Sequence, residues 1–224
     1  MILLSLPLRL RANVLEFTRP FALQRNPIAA LTIALVMASV SGCASAPPTR
    51  FFVLNSVASL DAPQVTPKAV AVVIRDVRLP QYLERPQLVT RGGDHRIQLA
   101  DDAQWAGNLQ QDMMRVLTEN LGHLLKSDRV FSAPHNGPLK PDFRVDVEVM
   151  RFEQSADRRV ALSARWWLIR GDGNTLLEAP SVMLYGAVLD DRSAESLVAS
   201  MSAVYAELAQ QIARSVVTHG RAKP

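Results

Sequence analysis

The feature that most constrains this chain is its lone cysteine, Cys43, together with the segment that precedes it. Four arginines lie upstream, followed by the uncharged run 28–40 and the small pair Ser41-Gly42. Thirteen helical residues, the length of this run, would span about 20 Å, which is shorter than the ~30 Å hydrocarbon core of a bilayer. A basic region, a short apolar run and small residues before a cleavage point indicate an export signal rather than a membrane-spanning helix.

The four residues 40–43, Val-Ser-Gly-Cys, match a bacterial lipobox, in which the cysteine takes a diacylglycerol as a thioether and the chain is cut before it. The alternative is an ordinary signal peptide or anchor in which Cys43 is incidental. The position of Cys43 and the lack of a second cysteine to pair with it favour the lipobox. Ala44 follows, whereas an aspartate there commonly retains lipoproteins in the inner membrane. We therefore predict lipidation at Cys43 and a periplasm-facing location at the cell outer membrane.

Cleavage before Cys43 would leave a mature chain whose net charge and length can be read from the sequence. The segment 1–42 holds four of the 25 basic residues and one of the 21 acidic residues, so the mature chain has a net charge near +1. This balance removes the electrostatic argument for a nucleic-acid partner. The mature length suits one domain with a substantial core, without any internal disulfide. We predict a signal peptide over 1–42, a tether over 43–49, one domain over 50–218 and a flexible tail over 219–224.

Several segments have the pattern of β-strands. Residues 143–149 alternate apolar and charged side chains, which is typical of a half-buried antiparallel strand, and 69–77 is apolar enough for a central strand. Turn signals lie at Gly92-Gly93-Asp94, between two short strand candidates, and at Gly171-Asp172-Gly173-Asn174. The remaining strand candidates are 50–55, 129–132, 160–170 and 176–187.

Two long segments have helical periodicity. Apolar residues recur at spacings of three and four over about 102–125, and again after Ser193. Asp101 and Asp102 resemble an acid–base pair, but acidic residues at a helix start more often cap free N–H groups. The sequence thus predicts an α+β fold, a mainly antiparallel sheet with two long amphipathic helices packed on one face.

The sequence offers little for catalysis or for a bound cofactor. The four histidines are scattered, and no zinc-ligand spacing, nucleophile elbow, P-loop or dinucleotide fingerprint occurs. We therefore predict a protein that is not an enzyme, with no cofactor and no metal. An enzyme that uses carboxylates outside any motif remains the alternative.

The pair Trp166-Trp167 indicates an interaction surface. Neighbouring strand residues face opposite sides, so only one indole can easily enter the core. Trp166 shares parity with Val160, Leu162 and Leu168 and is the predicted inward residue. Trp167 would then lie outside, either in contact with a partner, subunit or lipid, or covered by the chain's own loops or a helix.

Residues 79–86, Leu-Pro-Gln-Tyr-Leu-Glu-Arg-Pro, form a structured corner, because its two prolines break helices and inner strands. Together with Val89, Arg91, 98–100 and Trp105, and with the aromatic opening 51–54, this motif resembles the ABC-type transport auxiliary lipoprotein family. The resemblance covers about 51–212. Glu84, where an aspartate is commoner, and the long basic segment are departures from the family pattern.

The resemblance implies a non-catalytic lipoprotein that partners an inner-membrane system with MCE-domain proteins and helps to move phospholipid or other hydrophobic molecules between membranes. It also fits a ring of identical subunits. Tyr82, Arg85 and Trp167 are the predicted contact residues, although Arg85 could instead form only a local ion pair. An envelope-assembly lipoprotein with another partner, and a periplasmic hydrolase, remain alternatives.

Overall fold

The computed structural model describes Ile28 and residues 48–57, 70–93, 95–134 and 140–221. Apart from Ile28, these residues belong to one compact unit, Pro47–Pro224. Cys43, the predicted signal peptide apart from Ile28, most of the tether and the last three residues of the tail lie outside the described residues.

Within the described residues, nine strands form one sheet and two α-helices accompany it. The strands are β1 (Arg50–Phe52), β2 (Val72–Arg78), β3 (Gln87–Arg91), β4 (Ile97–Trp105), β5 (Val130–Ser132), β6 (Phe143–Gln154), β7 (Arg159–Arg170), β8 (Leu176–Glu178) and β9 (Ser181–Val188). The helices are α1 (Leu109–Leu125) and α2 (Ala194–Arg221). The predicted α+β class is therefore confirmed.

The sheet is mixed rather than purely antiparallel, so the predicted sheet is confirmed only in part. Its order is β1-β4-β3-β6-β2-β5, and β7 pairs with β6, β8 and β9. Four of the pairings are parallel: β1 with β4, β2 with β5, β2 with β6 and β3 with β6. Parallel neighbours need long connections, and here the connection from β2 to β5 contains β3, β4 and α1. The meander β6–β7–β9 and the hairpin β3–β4 are antiparallel, as predicted.

The first helix begins later than its periodicity predicts. Asp101 and Asp102 lie within β4, and the N-cap is Asn108, whose side-chain oxygen accepts a hydrogen bond from the Gln111 N–H at 3.0 Å. The capping role predicted for the two aspartates was therefore wrong. Trp105 fits helical spacing with Leu109, but it lies in the strand because β4 pairs with both β1 and β3.

Two boundaries near the C-terminus also differ from prediction. The segment predicted as one strand, 176–187, divides into β8 and β9, since Pro180 lies between them and a proline cannot donate to a ladder. The second helix continues to Arg221, past His219, where fraying was predicted. The His219 ring lies 3.5 Å from the Glu178 carboxylate, a contact that joins the end of α2 to β8.

The core lies between the helices and one side of the sheet. Phe152 of β6 contacts the Tyr205 ring of α2, with ring centroids 6.0 Å apart, and the Tyr205 hydroxyl donates to the Met113 carbonyl of α1 at 3.1 Å. We call the side of the sheet that packs against the helices the helix-facing side, and the other side of the sheet the opposite side. Trp166 is 2% exposed and lies across from Val147 on the helix-facing side, so the predicted parity of the two indoles is correct.

Candidate functional site

The corner 79–86 is built around a single 3₁₀ turn, Gln81–Leu83. Pro80 precedes it in extended conformation, and its carbonyl accepts the Leu83 N–H at 2.9 Å. Leu83 is buried and fixes the turn to the core, whereas Glu84, Arg85 and Pro86 are exposed. The prolines thus stop both neighbouring strands and leave a short polar loop on a rigid base.

A buried carboxylate, Glu153, binds this corner through a hydrogen bond from Tyr82. Its Oε2 accepts hydrogen bonds from the Tyr82 hydroxyl at 2.8 Å and from the Phe152 N–H at 3.0 Å. Its Oε1 accepts from the Nε of Arg91 at 2.9 Å and from that of Arg151 at 2.8 Å. The Glu153 side chain has no exposed surface, so all four donors serve a charge that water does not reach.

A bulge in β6 puts Glu153 where it can be reached by these donors. Val149 lies across from Ala164 and Arg151 across from Ser163, so Met150 is the extra residue. Simple alternation from Val149 would point Glu153 toward the helices. The extra residue reverses the parity, so that Phe152 enters the core and Glu153 faces the opposite side.

The environment of Tyr82 keeps its hydroxyl protonated. Burial raises the pKa of the Tyr82 phenol first, and the hydrogen bond to the Glu153 carboxylate raises it further, because a phenolate there would face another negative charge. The Arg91 guanidinium offsets part of this effect. Tyr82, a predicted contact residue, is therefore a half-buried, neutral hydrogen-bond donor to the Glu153 carboxylate.

Arg85, the second predicted contact residue, lines a cleft of about 210 Å³ between the corner and the start of α1. It is exposed, and it forms no hydrogen bond or ion pair within the described part of the chain. The local ion pair that was the alternative role for Arg85 is thus not seen there. The other residues that line the cleft are Leu79, Glu84, Pro86, Gly107, Asn108, Leu109 and Gln110.

Trp167, the third predicted contact residue, lies half-buried on the opposite side of the sheet, across from Asp146. The guanidinium of Arg78 stacks over its ring at 5.5 Å, within the range of a cation–π contact. Met183 and Tyr185 of β9, 48% and 45% exposed, share this side. Aromatic and apolar side chains and the Arg78 cation therefore lie on one accessible side of the sheet.

Sequence reasoning missed the Glu153 cluster altogether. Its members come from the corner, from the end of β3 and from β6, and a pattern within one element cannot bring them together. The one available signal is the run 151–153, Arg-Phe-Glu, in which a strand that had alternated apolar and charged residues changes its parity. Cys43, the predicted lipidation site, lies outside the described residues.

The described ranges contain neither a metal-binding cluster nor a membrane-crossing helix. No group of three or more His, Cys, Asp or Glu side chains there is close enough together to hold a metal ion. No helix in that part of the chain has the length and apolarity that crossing a membrane requires.

One protein family matches most of the chain. A family model described as the ABC-type transport auxiliary lipoprotein component matches residues 52–213, from the end of β1 into the last turns of α2. No curated protein matches the sequence at a significant level.

Two solved structures have a similar fold. A crystal structure of an uncharacterized protein is 20% identical with a TM-score of 0.62, and the match covers 76% of this chain and 99% of the other. Protein XCC0632 from Xanthomonas campestris is 9% identical with a TM-score of 0.64, covering 77% of this chain and 97% of the other. At these identities the likeness concerns the fold alone.

Proposed function

Because the chain belongs to the ABC-type transport auxiliary lipoprotein family, we propose that it is a non-catalytic docking subunit of an MCE-type intermembrane lipid transport system. In this proposal it is anchored at the outer membrane, faces the periplasm, and receives a partner that carries phospholipid between the membranes. The observation that carries the proposal is the family match, which includes almost the whole described body rather than one motif.

Anchoring is proposed from the sequence. Family membership indicates a membrane-anchored protein, and the lipobox ending at Cys43 supplies the attachment point. One acyl chain binds a bilayer only marginally, so stable attachment needs more than one. The tether, 43–49, is at most about 25 Å long when extended, so the folded body would work close to the membrane.

The corner and its cleft are the proposed docking point for the MCE-domain partner. Arg85 is exposed and offers all its guanidinium donors, and such a group suits an acidic side chain or chain terminus of a partner. Glu153 and Tyr82 hold the loop beneath Arg85 in one conformation, which lowers the entropy lost on binding. The contact is thus proposed to depend on Arg85 directly and on Glu153 indirectly.

The opposite side of the sheet is the proposed contact between identical subunits. Aromatic residues, methionine and arginine are enriched in protein interfaces, and Trp167, Arg78, Met183 and Tyr185 supply this composition. A ring built through this side would place several corners around one axis. Such an arrangement could receive the end of a tunnel that spans the periplasm.

Capture of partners by the mature lipoprotein tests the proposal. We expect the wild-type protein, solubilised from membranes, to retain an MCE-domain protein, and Arg85→Ala to retain much less while its melting temperature stays nearly unchanged. Arg214→Ala is the matched control, because Arg214 is exposed on α2, far in sequence from the corner. Retention of a partner without an MCE domain would support the envelope-assembly alternative. Equal capture by all three proteins would refute the role of Arg85.

A further inference from the structure

Two apolar side chains are exposed at the point where the described body begins. Phe51 is 65% exposed and Val53 is 45% exposed, while Phe52 is half-buried and Leu54 is fully buried. The segment therefore alternates with a period of two, as a half-buried strand does. Its outward positions are apolar here, although an outward position next to water is usually polar.

The backbone that carries these side chains is fixed by the helices. Beyond β1 the chain continues as residues 53–57, which we call the strap. The Asp112 carboxylate accepts the Leu54 N–H at 2.6 Å, and Arg115 donates to the Leu54 carbonyl at 2.7 Å. The Asn120 side chain accepts the Val57 N–H at 3.0 Å, so α1 holds the strap at both ends.

The second helix holds the strap as well. Ser202 of α2 accepts the Asn55 N–H at 3.2 Å, and Ser202 is itself buried. Three extended residues, from Leu54 to Val57, span about 10 Å, close to the ~12 Å between positions 112 and 120 of a helix. The strap therefore runs alongside α1 with matching length, and its hydrogen bonds to the helices fix the direction in which Phe51 and Val53 point.

The charge next to Phe51 is already neutralised. Arg50 forms ion pairs with Asp102 of β4 and with Glu195 at the start of α2, each at 3.0 Å. The Arg50 guanidinium also lies 5.8 Å from the centre of the Phe52 ring. Since Arg50 is already paired, none of these residues offers a free cation next to Phe51 and Val53. The ligand of Phe51 and Val53 should therefore be apolar rather than anionic.

The distance to the anchor identifies the occupant. Phe51 follows Cys43 by eight residues, and a chain of that length spans no more than about 29 Å. A chain tied to a lipid at Cys43 would therefore hold Phe51 next to the headgroup region at high effective concentration. Apolar groups that face this region are buried in it by about 5–10 Å.

We propose that Phe51 and Val53 insert into the interfacial region of the membrane to which Cys43 is tied, as a second, non-covalent contact that orients the body. This inference rests on the anchoring proposed above. It places β1, at one edge of the sheet, against the lipid surface. The opposite edge, where β8 and β9 lie, is then directed away from the membrane.

Quenching by brominated lipid tests this contact in the full lipidated protein. Phe51→Trp is reconstituted into phosphatidylcholine vesicles whose acyl chains carry bromine near the headgroup end. The matched control is Leu176→Trp, because Leu176 is 57% exposed on β8, at the other edge of the sheet. We expect brominated lipid to remove the emission that Phe51→Trp adds to that of the parent, and to leave the Leu176→Trp emission unchanged. Added salt should not alter the quenching, since Arg50 is neutralised.

A second variant guards against a folding defect in the first. Val53→Cys and its control Leu176→Cys are labelled with an environment-sensitive dye, since Cys43 would carry lipid and leave no competing thiol. We expect a blue shift at position 53 alone when vesicles replace buffer.

The outcomes separate this inference from the proposed anchoring. If the protein floats with the vesicles but neither position 51 nor position 53 responds to lipid, the inference is overturned and the anchoring stays intact. If both positions are protected from solvent but brominated lipid does not quench their emission, the inference is also overturned. A neighbouring copy of the chain would then cover Phe51 and Val53. A protein that fails to float overturns both.

Discussion

Replacing Glu153 with glutamine tests whether the buried carboxylate holds the corner. Each carboxylate oxygen accepts two hydrogen bonds, so a glutamine amide can serve only one pair and must turn its NH₂ group toward the donors of the other. Breaking a buried ion pair by removing one partner costs about 3–5 kcal/mol. Arg91 and Arg151 are 24% and 27% exposed, so water relieves part of this cost and the lower end of the range applies.

Urea unfolding followed by tryptophan fluorescence measures this loss. With a slope of about 2 kcal/mol/M, a destabilisation of about 3 kcal/mol lowers the urea midpoint by about 1.5 M. Glu119→Gln is the matched control, because Glu119 makes an exposed pair with Arg115 at 2.8 Å on the surface of α1. Such a pair contributes only about 0.3–0.5 kcal/mol. The reasoning is refuted if Glu153→Gln and Glu119→Gln lower the midpoint equally.

Three further predictions concern the anchor, the sheet surface and the corner. Cys43→Ala should fold but take up no radiolabelled fatty acid, and equal labelling of wild type and variant would exclude the lipobox. Trp167→Glu should sediment as a folded monomer, with association weakened by about 2 kcal/mol or about 30-fold. Trp166→Glu should unfold instead, because it buries a charge in the core. An unchanged Trp167→Glu oligomer would contradict the interface. Because the pKa of Tyr82 is raised above its ordinary value of 10.0, the protonated phenol favours the fold fully below pH 10, and this contribution is lost as the pH rises through the folded-state pKa. Tyr82→Phe should therefore flatten the alkaline decline in unfolding free energy, and an equally steep decline in both proteins would argue against it.

Local patterns predicted the elements whose character depends on their own residues. The alternation over 143–149 placed three valines in the core, and the turn at 171–174 joins β7 to β8. Parity also assigned Trp166 to the core, because β7 is regular between Trp166 and the residues used as its reference. In these segments the burial of a residue depends only on the period of the strand.

The start of α1 shows where local pattern fails. Trp105 and Leu109 satisfy helical spacing, yet residues 103–105 form a strand because β1 pairs beside them in parallel register. That partner lies about fifty residues earlier in the chain. A spacing rule cannot detect a neighbouring strand that only the fold brings close. For the same reason, the sequence did not reveal that half of the pairings among the described strands are parallel.

By itself, the sequence determined the α+β class, the family and the predicted anchor, since these depend on residue types at fixed spacing along the chain. The tertiary structure alone decided the role of Glu153. One extra residue at Met150 reverses the parity of β6, and Tyr82, Arg91 and Arg151 then converge on a carboxylate that would otherwise point at the helices. Convergence of side chains from separate elements depends on packing and register, and neither is encoded in any single segment.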